Sequence, residues 1–123
     1  MPTFHLIRGI PGSGKTTIAK SLNLKHHFEA DQYFMLDGKY NYDPRLIKNA
    51  HNWCVVKTRL AMKSQEDIVV SNTFIKKWEM DSYLVSAAQF GYSVKTIIAT
   101  GTYKNTHGVP DDVVARMAAQ FEA

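Results

Sequence analysis

The chain has 123 residues and a mass of 13.9 kDa, and its 45% hydrophobic and 21% charged content excludes a disordered segment and suits one domain over 1–123. No apolar run approaches the roughly 20 residues of a membrane helix, and the lone Cys54 excludes an internal disulfide. Fifteen Lys and Arg against eleven Asp and Glu give +4, which favours a phosphate-bearing partner without identifying one.

In chain order, Thr3–Arg8 is short, apolar and β-rich, so it predicts a buried strand. The opening "MPTFHLIRG" has no signal-peptide core, and with the reduced cysteine it leads us to expect a cytoplasmic protein. A glycine-rich loop follows, then a helix from "KTTIAKSLNL" with Ile18, Ala19 and Leu22 on one face. "HHFEA" predicts a brief second strand ending at Asp31, and "DGKYNYD" a loop. Asp43 as N-cap and Pro44 at the first helical position open a long helix. Its expected apolar stripe runs through Leu46, Ala50, Trp53 and Leu60, flanked by Ile47, Cys54 and Ala61. "DIVVS" is the clearest buried strand. "WEMDSYLVSAAQF" is a helix stopped by Gly91, "YSVKTIIAT" a fourth strand, and "VPDDVVARMAAQFEA" a closing helix with Pro110 and two acids in its first turn. Alternating strands and helices imply an α/β fold of three layers: a mostly parallel sheet of about four strands, helices on both faces, and a C-terminal lid at about 101–110.

The loop "GIPGSGKT" meets the pattern G-x-x-x-x-G-K-S/T at every fixed position, between a strand and a helix as the motif requires. Glycines let backbone N–H groups turn inward around phosphates. The expected nucleotide-binding set is Gly9, Pro11, Gly12, Ser13, Gly14, Lys15, Thr16 and Thr17. Lys15 reaches the β- and γ-phosphates of ATP, and the Thr16 hydroxyl ligates Mg²⁺.

Three features bear on whether the terminal phosphate is transferred, hydrolysed or held. The strand "DIVVS" ends in Ser71-Asn72-Thr73, where a hydrolytic enzyme commonly carries a metal-holding acid. Asn72 can bond a metal-bound water but carries no charge. Asp31 stands where a carboxylate could accept the proton of an attacking hydroxyl, and equally where it could cap "QYFML". Glu29, two residues earlier, is a weaker candidate for the same base. Finally, "TGTYKNTHG" with "VPDDVVAR" forms a lid whose cations are Lys104, His107 and Arg116.

Four segments together carry a resemblance: "GIPGSGKTTIAK", "EADQYF", "VVSNTF" followed by "KKWEMDSYLVSAAQFGYSV", and "HGVPDDVVARM". The chain resembles P-loop kinases of the polynucleotide 5′-hydroxyl kinase type. With "DGKYNYDP" and "NTHGVP" it is also similar to the P-loop domain of a ubiquitin-ligase-binding family. The resemblance implies Asp31 as general base toward a 5′-hydroxyl, P-loop roles for Lys15 and Thr16, and His107 or Lys104 in place of the family's lid arginine. Asn72 stands where the family has an aspartate, and Phe34 where it has a substrate-binding arginine. Phe34 or Tyr33 could instead stack a terminal base, while Lys76 and Lys77 could meet nucleic-acid phosphates. A nucleoside or other small-molecule kinase, a non-catalytic ATP-binding adaptor and a switch ATPase are the competing readings. Elsewhere, Tyr40 and Tyr42 clasp substrate or anchor their loop, His26 and His27 point to opposite faces, and His51 packs or lies at the surface. Trp53, Trp78 and Cys54 read as core.

Overall fold

The computed structural model describes residues 1–35, 38–101 and 109–123. Strands β1 (Thr3–Arg8), β2 (His26–Phe28), β3 (Ile68–Ser71) and β4 (Ser93–Ile98) form one sheet in the order β2-β3-β1-β4. Each recorded pairing is parallel, with Phe4 opposite Ile68 and Val94, and Leu6 opposite Val70. Parallel neighbours need crossovers, and helices α1 (Lys15–Ser21), α2 (Ile47–Met62) and α3 (Asp81–Phe90) supply them, with α4 (Asp111–Gln120) following β4.

The two faces of the sheet bury two separate apolar sets. Phe4, Leu6, Ile68 and Val70 pack with Ala50, Cys54 and Met62 of α2 and Tyr83 and Ala87 of α3. Ile7 and Val69 pack with Ala19, Ile18 and Leu22 of α1. Strand alternation sends consecutive side chains to opposite layers, so β1 and β3 read as continuous apolar runs. Each fully buried Phe, Leu or Ile stabilises the fold by about 1.5–3 kcal/mol.

Local signals behave as expected at most element ends. Gly91 closes α3 in the left-handed region at φ 74°. Asp43 accepts the Arg45 N–H, but the turn it caps is a 3-10 helix, Pro44–Leu46, that leads into α2. The stripe of α2 is offset from the one the sequence predicts. Ala50, Cys54, Thr58 and Met62 are buried, whereas Leu46, Ile47 and Leu60 are exposed. The threonine satisfies its hydroxyl on the Cys54 carbonyl, 2.8 Å away, so a polar residue can occupy the inward row. Trp78 is likewise not core: it is 70% exposed on a 3-10 helix, Lys77–Met80, that precedes α3. Trp53 does pack against the core, edge-on to Tyr33.

A second tie binds the chain's end to the sheet. Arg8 is 2% exposed; its Nε and Nη2 donate to the Phe74 carbonyl at 3.1 and 2.7 Å, and Nη2 also donates to the Glu122 carbonyl at 2.5 Å. Its guanidinium lies over the Phe121 ring, 4.6 Å from the centroid. Phe74 holds φ 43°, unusual for an aromatic residue, and this conformation accompanies the carbonyl's bond to Arg8.

Candidate active site

The P-loop lies at the C-terminal end of β1, where ligands of open parallel sheets bind. Gly12 and Gly14 take φ 81° and 92°, which residues with a side chain adopt only at a cost. Gly9 is needed for a different reason: a Cβ there would lie 2.3 Å from Ser13 Oγ and 2.9 Å from the Ala99 carbonyl. The Ser13 and Gly9 amides are bonded to the Ile10 and Thr73 carbonyls, which fix the loop against β3. Lys15 Nζ donates to the Ile10 carbonyl at 3.0 Å. Burial lowers the pKa of this ammonium, while the charges of Glu29 and Asp31 oppose that shift.

Above the loop is a cavity of about 450 Å³. Pro11, Lys15, Thr16, Glu29, Asp31, Asn72 and Thr73 line its phosphate side, and Phe34, Tyr40, Tyr42, Ile47, His51, Val113 and Met117 its far side. The cavity thus joins Lys15 and Thr16 of the P-loop with Asp31, from beyond β2, around one space. Asp31 lies in the first turn of a 3-10 helix, Ala30–Met35, and not at its N-cap. Tyr40 donates its hydroxyl to Asp31 Oδ1 over 3.4 Å. Burial first, and then the Asp31 charge, push the Tyr40 phenol up to about 12, so it remains a donor at neutral pH.

Glu29 takes a position that the sequence reading gave little weight. The Thr16 hydroxyl is 3.1 Å from both carboxylate oxygens of Glu29, and His27 Nε2 is 2.6 Å from Oε2. A carboxylate therefore sits beside the Thr16 hydroxyl, although β3 ends without one. The available signal was its spacing, two residues before Asp31 on the rim of the same strand end. Asn72 is 7% exposed and braces this turn: its Oδ1 accepts the Ala30 N–H at 2.8 Å, and its Nδ2 lies 3.7 Å from Cys54 Sγ. Its side chain is thus committed to holding the Glu29-Ala30-Asp31 backbone.

The remaining expectations divide. Phe34 is buried but reaches the cavity, while Tyr33 packs on Trp53 and Phe34, so the two rings act as core. Among the described residues, the exposed aromatics at the site are Tyr40 and Tyr42. Lys76 caps the turn before α3, its N–H bonded to Glu79, and neither it nor Lys77 lines the cavity. Thr17 and Arg116 are exposed and lie outside the lining as well. His107 and Lys104, with the lid residues 102–108, lie outside the described residues. His26 and His27 bond different carboxylates, Glu66 and Glu29, as strand alternation requires. His51 lines the cavity, and burial lowers its pKa. Burial raises the Cys54 thiol, which keeps it protonated and unreactive.

A family model described as an AAA domain matches residues 4–102. The chain belongs to this AAA-domain family. Human NEDD4-binding protein 2 is 28% identical to it over 131 residues, which are 95% of this chain and 7% of that protein. This AAA domain thus spans a small fraction of that relative. Among solved structures, a chain of the Pnkp1/Rnl/Hen1 RNA repair complex superposes with a TM-score of 0.71 at 11% identity, over 98% of this chain and 44% of that one. A gluconokinase from Sinorhizobium meliloti 1021 gives 0.62 at 18% identity, over 99% and 76%. The AAA domain therefore shares its parallel α/β fold with these P-loop kinase-like structures. Among the described residues, no helix is long and apolar enough to cross a membrane.

Proposed function

We propose that this domain is an ATP- and Mg²⁺-dependent phosphotransferase acting on a hydroxyl, with the 5′-hydroxyl of a nucleic acid as acceptor. One observation carries the reading: Asp31 shares a single cavity with Lys15 and Thr16. A base for the acceptor and a grip for the donor phosphates then face one space.

The residues present fit a magnesium ion. Among the described residues no three His, Cys, Asp or Glu cluster as a protein-only metal cage. Mg²⁺ is usually held by one or two protein groups together with phosphates and water. Thr16 Oγ1 and the Glu29 carboxylate form such a pair, and Ser71, which lines the same cavity, has a buried Oγ with no hydrogen-bond partner among the described residues. When bound there, the ion neutralises charge on the phosphate oxygens.

Asp31 accepts the hydroxyl proton as the acceptor oxygen bonds to the γ-phosphorus and the bond to the ADP oxygen breaks. Lys15 stabilises the charge on the transferring group. Tyr40 and the braced Ala30 backbone hold the carboxylate in place. Support for a nucleic acid is the net charge of +4 and the likeness to a chain from an RNA repair complex.

The test is transfer from γ-labelled ATP to a panel of 5′-hydroxyl RNA and DNA oligonucleotides, free nucleosides and gluconate. Label on the oligonucleotide 5′ end is expected. Label only on a small molecule would move the reading to a metabolite kinase. Label released to water, or retained in ATP with every acceptor, would refute phosphotransfer.

A further inference from the structure

The far wall of the cavity is aromatic and apolar, which a polyol acceptor would not need. Tyr40 is 39% exposed and Tyr42 51%, with ring planes 15° apart and centroids 6.4 Å apart. Both rings meet Phe34 at steep angles, 77° and 63°, so the buried Phe34 serves as the anchor of this loop. Tyrosines that merely fastened the loop would bury their rings as Phe34 does. These two are only partly buried and both line the cavity.

The loop that carries them is held in shape. Asn41, between the two tyrosines, donates its N–H to the Phe34 carbonyl at 2.9 Å, and Gly38 donates to Met35 at 3.0 Å. Asp43, just beyond, is bonded to the backbone and side chain of Arg45. A pre-shaped aromatic surface loses little freedom when it binds a flat ring. The Tyr40 hydroxyl also lies 3.4 Å from Asp31, so a group attached to a hydroxyl at Asp31 is close to these rings. In a 5′-terminal nucleotide, that attachment is a sugar bearing a base.

We infer that Tyr40 and Tyr42 form a stacking slot for the 5′-terminal nucleobase of the acceptor, so that the base is bound by its π-face while Asp31 addresses the hydroxyl. This rests on the phosphotransfer reading above for its chemistry, but the slot can be measured without transfer. A stacking surface accepts all four bases and requires that a base be present.

The experiment compares wild type with Tyr40→Ala, Tyr42→Ala, Tyr42→Leu and Tyr42→Phe. Acceptors are a 5′-hydroxyl oligonucleotide and the same strand with an abasic 5′ residue. Tyr42→Ala should raise the acceptor KM about tenfold, with the ATP KM unchanged, and Tyr42→Phe should stay within about twofold of wild type. Tyr40→Ala should raise the acceptor KM similarly and also lower kcat, because it removes the hydroxyl bonded to Asp31. The abasic strand should be as poor a substrate for wild type as the normal strand is for the variants. Tyr42→Leu keeps apolar bulk without the ring, so it reports the slot if an alanine variant fails to fold. In parallel, binding of a 3′-fluorescent 5′-hydroxyl oligonucleotide is followed by anisotropy without ATP. Binding that depends on the tyrosines, with no transfer to any acceptor, would keep the slot and refute the kinase. Transfer that is indifferent to the tyrosines and to the abasic end would refute the slot and keep the kinase. A rise in the ATP KM in place of the acceptor KM would also overturn the slot, assigning the rings to the donor's base.

Discussion

Arg8 offers the sharpest test of how the C-terminal wall of the cavity is held. In Arg8→Met the apolar stem remains, but the carbonyls of Phe74 and Glu122 lose the donors at 2.7 and 2.5 Å. The buried Phe74 acceptor left without a partner costs about 1–3 kcal/mol, and the part-buried Glu122 carbonyl, which water can reach, costs less. Loss of the contact with the Phe121 ring adds about 0.5–2 kcal/mol. Against this, burial lowers the Arg8 pKa, and an apolar replacement no longer desolvates a charge. The net expectation is a loss of about 3 kcal/mol, or about 10 °C in the melting temperature of a domain of this size. Arg8→Lys keeps the charge but not the planar fork, so it should fall between Arg8→Met and wild type. The assay is a thermal melt followed by circular dichroism, with hydrogen exchange at the Glu122 amide, which donates to the Ile75 carbonyl at 2.8 Å. Release of that amide would show that the end of α4, and with it the wall formed by Val113 and Met117, is loosened. If Arg8→Met melted within about 3 °C of wild type with the Glu122 amide still protected, the guanidinium would not be the tie described.

Lys15→Ala should abolish both ATP binding and transfer, whereas Asp31→Asn should lower kcat by about 10²–10⁴ and leave ATP binding intact; equal loss of binding in titrations of both would count against the base role. Glu29→Gln should raise the Mg²⁺ concentration for half-maximal activity about tenfold, also visible as a weaker Mg²⁺-dependent rise in the melting temperature of the ATP-bound domain; an unchanged Mg²⁺ curve would remove Glu29 from the metal site. Gly9→Ala should destabilise by about 1–3 kcal/mol in urea, because the Ala99 carbonyl cannot rotate away as the Ser13 hydroxyl can. Burial lowers the pKa of His5 and His51 from 6.5. Between their folded values and 6.5 the unfolded chain holds more protons. Stability should therefore rise with pH through that window and be lost on acidification. His51→Gln should flatten this limb of a urea-midpoint profile, and an unaltered profile would show that His51 does not contribute.

The strand-loop-helix at the N-terminus was legible because its demands are local. Three glycines, a lysine and a threonine at fixed spacing dictate the loop conformation wherever it occurs. The parallel sheet followed from the alternation of apolar strands and helical periods, and the observed order β2-β3-β1-β4 agrees with it. The face of α2 was not legible. Leu60 and Ile47 outrank Thr58 in apolarity, yet the small Ala50, Cys54 and Thr58 lie inward. Trp78 misled for a related reason: apolar character indicates cost of exposure but not direction, and a 3-10 turn rotates the ring outward.

The site shows the same division. Linear order suffices to identify the phosphate loop and to nominate Asp31, since both depend on residue type and on the end of a strand. It could not reveal that Glu29 reaches the Thr16 hydroxyl, that Asn72 is spent bracing Ala30, or that Arg8 is buried against the final turn of the chain. Those facts depend on contacts between segments separated by 13, 42 and 114 positions. The sheet order and the packing of α4 set such distances, and no local propensity encodes them.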